Sequence, residues 1–75
     1  MTCLTSLRLR VLQHIVVEGA ATARDVARNV PELRGNLRTA WRCCLALLRL
    51  GFIERLRLAE YRATAAGRRC ASEVR

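Results

Sequence analysis

The sequence predicts an α+β fold that is mostly α, with a three-helix core, a two-stranded β-hairpin and a short C-terminal helix. Apolar residues recur at helical spacing from Leu7 to Leu50, and after Gly51 the period shortens to about two, as in strands. The chain has 75 residues, the length of one domain, and 52% of them are hydrophobic, which is enough for a core. We therefore expect residues 1–75 to form a single domain.

The first helix is predicted over Leu7–Glu18. Ser6 or Thr5 is suited to cap its N-terminus, because a hydroxyl oxygen can accept a hydrogen bond from a free backbone N–H. Gly19 follows the last periodic residue and is a natural helix stop. The next two residues, 20–21, form a connector that is able to pair later as a very short strand.

The second helix is predicted over Ala23–Asn29. Thr22 is its expected N-cap, and Asp25 stands three residues later, as in a shortened capping box. Pro31 ends this helix, since the residue before a proline is pushed out of the helical region. Residues 31–36 are ambiguous, because Pro31 can open a further turn of helix while Gly35 indicates a break.

The third helix is predicted over Leu37–Leu50, with Asn36 as a candidate N-cap and Gly51 at its end. Its apolar positions recur at three and four residues and are expected to face the core: Leu37, Ala40, Trp41, Cys44, Leu47 and Leu48. Trp41 is accordingly interpreted as a hydrophobic anchor.

The C-terminal third is predicted to hold the hairpin and the last helix. The strands are Phe52–Leu58 and Tyr61–Ala63, with Tyr61 contacting the core, and the short connection lacks the usual turn residues. Thr64 is a candidate cap for a final helix that Gly67 is expected to weaken.

Charge is the strongest guide to function. Fourteen basic residues, all of them arginine, stand against six acidic ones, for a net charge of +8. Such a balance favours a polyanionic partner, either nucleic acid or an anionic membrane. Arg8 and Arg10 interrupt the N-terminal apolar stretch and no run is long enough to span a bilayer. We therefore expect no membrane partner and a cytoplasmic location.

Catalysis and metal binding are not expected. The chain has one histidine, one aspartate and no glycine-rich phosphate loop. Cys3, Cys43, Cys44 and Cys70 lack the paired spacing of a zinc site, so no cofactor is expected. Cys43 is expected on a more exposed side than Cys44, but a redox role needs an accessible thiol of lowered pKa. A domain this small also leaves little room for a small-molecule effector.

A resemblance to a known family is carried by the segments RVLQHIVVEGAATARDVARNV, LRTAWRCCLALLRLGFIERL and YRATAAGRR. Together they resemble the winged helix-turn-helix domains of MarR-like and ArsR-like transcription regulators. The third segment is similar to their Y-x-L-T-x-x-G pattern, with Ala63 where leucine is usual. The resemblance implies double-stranded DNA as partner, transcriptional regulation, a prokaryotic or viral origin, and a homodimer with Leu45 and the last helix as candidate contacts.

The third helix, residues 37–50, is the predicted recognition helix, because the major groove admits one α-helix. Arginine can contact guanine O6 and N7 together, and asparagine can do the same for adenine. The hairpin, residues 52–63, is expected on the DNA backbone, with Arg55 and Arg57 on one face, where they can contact phosphates or enter the minor groove. The candidate DNA-binding residues are Arg34, Asn36, Arg38, Thr39, Arg42, Arg49, Arg55 and Arg57. Arg24 and Arg34 are expected to contact phosphates.

Two other functions stay open on the sequence. The same scaffold can serve as a protein–protein adaptor, in a phage or mobile element for example, with the basic face against an acidic protein. Basic helical domains also bind structured RNA by shape. Binding that is insensitive to salt would favour the protein partner, and a preference for RNA over duplex DNA would favour RNA binding.

Overall fold

A computed structural model describes residues 6–57 and 59–73. The elements in chain order are α1 (Ser6–Glu18), β1 (Ala21–Thr22), α2 (Ala23–Asn29), a 3₁₀ turn (Pro31–Leu33), α3 (Leu37–Leu50), β2 (Ile53–Arg57), β3 (Glu60–Ala63) and α4 (Ala65–Glu73). The three strands form one antiparallel sheet in the order β1-β3-β2. The predicted α+β class, mostly α, is confirmed. The predictions for Cys3, Thr5 and Leu58 lie outside the described residues.

The ends of α2 and α3 follow their predicted signals, whereas Ser6, expected as a cap before α1, is the first residue of that helix. Thr22 Oγ1 accepts a hydrogen bond from the Asp25 N–H at 3.1 Å, and Asp25 Oδ2 accepts one from the Thr22 N–H at 3.2 Å, so the capping box is confirmed. Asn36 Oδ1 accepts from the Thr39 N–H at 3.0 Å and caps α3. Gly51 has φ of 79°, the left-handed conformation that ends α3.

The hairpin departs from the expected regular ladder. Ile53 pairs with Ala63 and Arg55 with Tyr61, but Arg57 pairs with Glu60, so a bulge lies between Arg55 and Arg57. Paired residues share a face and successive residues alternate. Arg55 therefore shares the face of Tyr61, and Arg57 shares the opposite face with Glu60. The prediction that the two arginines lie on one face is wrong.

The core is mostly aliphatic, with Cys43, Cys44 and Cys70 among its smaller side chains, and lies where α1, α2, α3 and the sheet meet. Its largest fully buried side chains are Leu12, Ile15, Leu47, Val11, Val26 and Cys44. Tyr61 is buried against it, as predicted.

Two residues assigned to the core face of α3 are exposed instead. Leu37 is 46% exposed and Trp41 is 51% exposed, whereas Cys43, expected on a more exposed side, is only 4% exposed. The buried stripe runs through Ala40, Cys43, Cys44 and Leu47, at spacings of three, four and seven. α3 is thus rotated so that small residues face α1 and α2, and this rotation brings Trp41 to the surface.

Gly67 lies where α4 packs closely against the backbone of Phe52, the residue before β2. A Cβ atom at this position would lie 1.8 Å from the Phe52 carbonyl oxygen. The approach is fixed by two further contacts, because the Thr64 N–H donates to Phe52 O at 3.0 Å and Thr64 Oγ1 donates to Gly51 O at 2.7 Å. Gly67 was expected to weaken the helix, but it is what allows α4 to pack here.

The helices within residues 6–57 and 59–73 are all too short or too polar to cross a bilayer.

Candidate nucleic-acid interface

The outer face of α3 carries the two arginines predicted to read bases. Arg38 and Arg42 are both exposed, and their spacing of four residues places them one turn apart on the same side of the helix. Thr39 lies between them and is half-buried. Arg49 is also exposed, but it lies about 10 Å further along the axis than Arg42, in the last turn.

A second group of arginines lies on α2 and on the turn before α3. Arg24, Arg28 and Arg34 line a shallow depression of about 520 Å³ together with Gly35 and Leu37. Arg34 has φ of 52°, and its conformation is held because the Arg34 N–H donates to Pro31 O and the Gly35 N–H to Ala27 O. Sequence reasoning missed Arg28, although its position one turn after Arg24 on the same short helix was a usable signal.

These residues form one continuous positive surface, because a neighbouring depression shares Arg24 and Leu37 with the first. We call this surface the basic face, and it consists of Arg24, Arg28, Arg34, Arg38 and Arg42. Within the described part of the chain, none of the five forms an ion pair. The ion pairs found there join Arg10 to Glu32 at 3.0 Å and Arg62 to Glu54 at 2.7 Å. The charge of the basic face is therefore available to a ligand.

Asn36 has a structural role that limits its predicted contact with adenine. Its side-chain oxygen accepts the Thr39 N–H at 3.0 Å, and this bond fixes the orientation of the amide. A bidentate contact with adenine would have to use the same oxygen in that orientation. The structure therefore places Asn36 beside the basic face chiefly as the cap of α3.

The hairpin contributes less to this surface than expected. Arg55 and Arg57 are exposed, but the bulge directs them to opposite faces, so they cannot act together. The residues that line the two depressions do not include Arg55, Arg57 or Arg49. The structure brings together Arg34, Arg38 and Arg42 of the predicted set, and leaves the other three arginines apart.

The second depression is an apolar groove of about 720 Å³ between the start of α2, the first half of α3 and the hairpin turn. We call it the apolar groove, and it is lined by Thr22, Ala23, Arg24, Leu37, Arg38, Trp41, Arg42 and Ala59. This groove is not predictable from helical spacing, because Leu37 and Trp41 also fit the core face of α3. A usable signal was that Ala40, Cys43, Cys44 and Leu47 alone complete a buried helical stripe.

The cysteines on α3 are not poised as nucleophiles or sensors. Burial, and then the neighbouring Cys43 thiol, raises the pKa of Cys44 to about 12. Burial also raises the pKa of Cys43, against an opposing effect of the Arg8 charge. Within the residues that the structure describes, no cluster of histidine, cysteine and carboxylate side chains is arranged to hold a metal ion.

No protein-family model, curated protein or solved structure matches the chain significantly. Its function is consequently inferred from its own side chains, which form two overlapping surfaces, the basic face and the apolar groove, with Arg24, Arg38 and Arg42 in common.

Proposed function

We propose that the chain is a winged helix-turn-helix domain that binds double-stranded DNA and regulates transcription. The order of elements supports this proposal, because a short strand between α1 and α2 pairs with a hairpin that follows α3. In such a domain α3 is the recognition helix and enters the major groove.

The observation that carries the proposal is the basic face. Five arginines lie on one surface of α2, the turn and α3, without ion pairs to the described residues. A duplex backbone is the extended polyanion that such a surface fits. Arg24, Arg28 and Arg34 are suited to phosphates, and Arg38 and Arg42 to guanine O6 and N7.

The test is a titration of labelled duplex DNA by fluorescence anisotropy across a salt series. We expect affinity to fall steeply with salt, with a log–log slope of about −3 to −6, because several phosphates release their counterions. Arg38→Ala and Arg42→Ala should relax sequence preference, whereas Arg28→Ala should weaken all duplexes alike and make the slope about 1 unit shallower.

Arg10→Ala is the matched control for these variants. It removes the same charge from the chain, but Arg10 lies off the basic face and its guanidinium already contacts Glu32 at 3.0 Å. If Arg10→Ala and Arg42→Ala lowered the affinity for duplex DNA equally, the assignment of the basic face as the binding surface would be contradicted. Absence of duplex binding even at low salt would contradict the function itself.

A second candidate function, a protein–protein adaptor on the same scaffold, is favoured by the apolar groove. Phosphate binding needs no apolar surface, and an acidic protein with apolar side chains would use both surfaces. Its binding would depend much less on salt than that of a duplex.

A further inference from the structure

The apolar groove contains two side chains that phosphate binding does not explain. Leu37 and Trp41 are 46% and 51% exposed on α3. They are one turn apart, as are Arg38 and Arg42, so an apolar pair and a basic pair run side by side along the first half of the helix. If Arg38 or Arg42 contacts a base, the adjacent bases therefore lie close to Leu37 or Trp41.

The major groove offers one apolar group to such a pair, the 5-methyl group of thymine. We propose that Leu37 and Trp41 contact thymine methyl groups, next to guanines contacted by Arg38 and Arg42. This inference rests on the proposed function and adds to it a base preference. Sites recognised by the domain then combine guanine with adjacent thymine.

The shape of the groove agrees with this occupant. Besides Leu37 and Trp41, its apolar lining consists of Ala23 and Ala59, whose side chains end at Cβ and take up little of its volume of about 720 Å³. The positive charge also continues past the groove to Arg28 and Arg34. That extent matches the continuous charge of a duplex backbone better than the local charge of a peptide.

The experiment compares two duplexes of about 20 base pairs, two turns of B-DNA. One strand of the first alternates guanine and thymine, and in the second duplex deoxyuridine replaces every thymine. The two have the same charge and the same hydrogen-bonding groups, and differ only in the methyl groups. Every binding register places thymine beside guanine, so the natural site need not be known.

We expect the native chain to bind the thymine duplex about fourfold more tightly for each methyl group that it covers. The difference should disappear in Trp41→Ala and shrink in Leu37→Ala. Both variants should fold, because the two side chains are exposed. Leu50→Ala is the control, since Leu50 is on the same helix, is also 46% exposed and lies outside the groove. It should keep the full difference.

Trp41 is the only tryptophan, so its fluorescence gives an independent measurement. Binding of the thymine duplex should protect it from quenching by acrylamide. Equal affinity for the two duplexes, with salt-dependent binding retained, overturns the inference and leaves the proposed function standing. Failure to bind any duplex at low salt would overturn both the inference and the proposed function. Protection of Trp41 by an acidic apolar peptide, but not by the duplex, would assign the groove to a protein and overturn the inference.

Discussion

Cys44 is buried in α3 as a small apolar side chain whose thiol the core keeps neutral. It is fully buried, and its pKa is raised from the ordinary value of 9.0 to about 12, chiefly by burial. Cys43 next to it is also in the core, with a pKa raised in the same direction. Both residues therefore contribute to packing, and their thiolate chemistry is suppressed at neutral pH.

Stability should consequently fall as pH rises through the window between the unfolded and folded pKa of Cys44. In this window the unfolded thiol ionises while the folded thiol stays protonated, so proton release favours unfolding. The free energy of unfolding from urea titrations at about pH 8 and about pH 10.5 measures the effect. Cys44→Ala, although less stable at both pH values, should show a smaller fall. An identical fall in the two proteins would contradict the assignment.

The exposed position of Trp41 could not be predicted from the sequence. Its size and its spacing from Leu37 and Cys44 fit a core position as well as a surface one. Whether Trp41 or Cys43 is buried depends on a rotation of α3 about its axis by less than the angle between successive residues. Close packing against α1 and α2 determines this rotation. Arg38 and Arg42 were correctly predicted on the exposed side of α3, because they face away from the core in either rotation.

At the level of elements, α4 depends on Gly67. Replacing it with alanine in an open helix would raise stability by about 1 kcal/mol, since alanine is the better helix former. Here the added Cβ would meet the Phe52 carbonyl oxygen at 1.8 Å. We therefore expect Gly67→Ala to destabilise the chain by about 1–3 kcal/mol, which urea denaturation would measure.

Ala66→Gly provides the comparison on the same helix. Ala66 is exposed, so this change should cost only the propensity difference of about 1 kcal/mol. If Gly67→Ala stabilised the chain instead, the close approach of α4 to β2 would be absent in solution.

Element ends were predictable because their signals are local. The bounds of α2 and α3 follow from Thr22, Asp25, Asn36 and Gly51, each of which acts on backbone groups within a turn. The bulge after Arg55 and the contact at Gly67 were not predictable. They arise where segments distant in sequence meet, and periodicity alone contains no information on that meeting.

For the whole molecule, size and charge act together. A chain of 75 residues buries only about 60–65% of the surface that its unfolded form exposes, so its stability margin is small. Its net charge of +8 adds self-repulsion, and the basic face concentrates part of it on one side. A bound polyanion should relieve this repulsion.

Duplex DNA should therefore stabilise the folded chain. At about 100 times the dissociation constant, binding to the folded state alone adds about 2.7 kcal/mol. For a domain of this size that gain raises Tm by more than about 10 °C. Thermal unfolding followed by circular dichroism, with and without duplex, measures the shift. It should shrink at high salt and in Arg42→Ala, and an unchanged Tm at saturating duplex would contradict specific binding to the folded state.

Thr22 belongs to three structures at once. It pairs with Glu60 in the sheet, caps α2 through its hydroxyl, and lines the apolar groove. Substitutions there should be epistatic with changes in the hairpin, in α2 and in the ligand surface. Thr22 is therefore a position where few mutations are neutral.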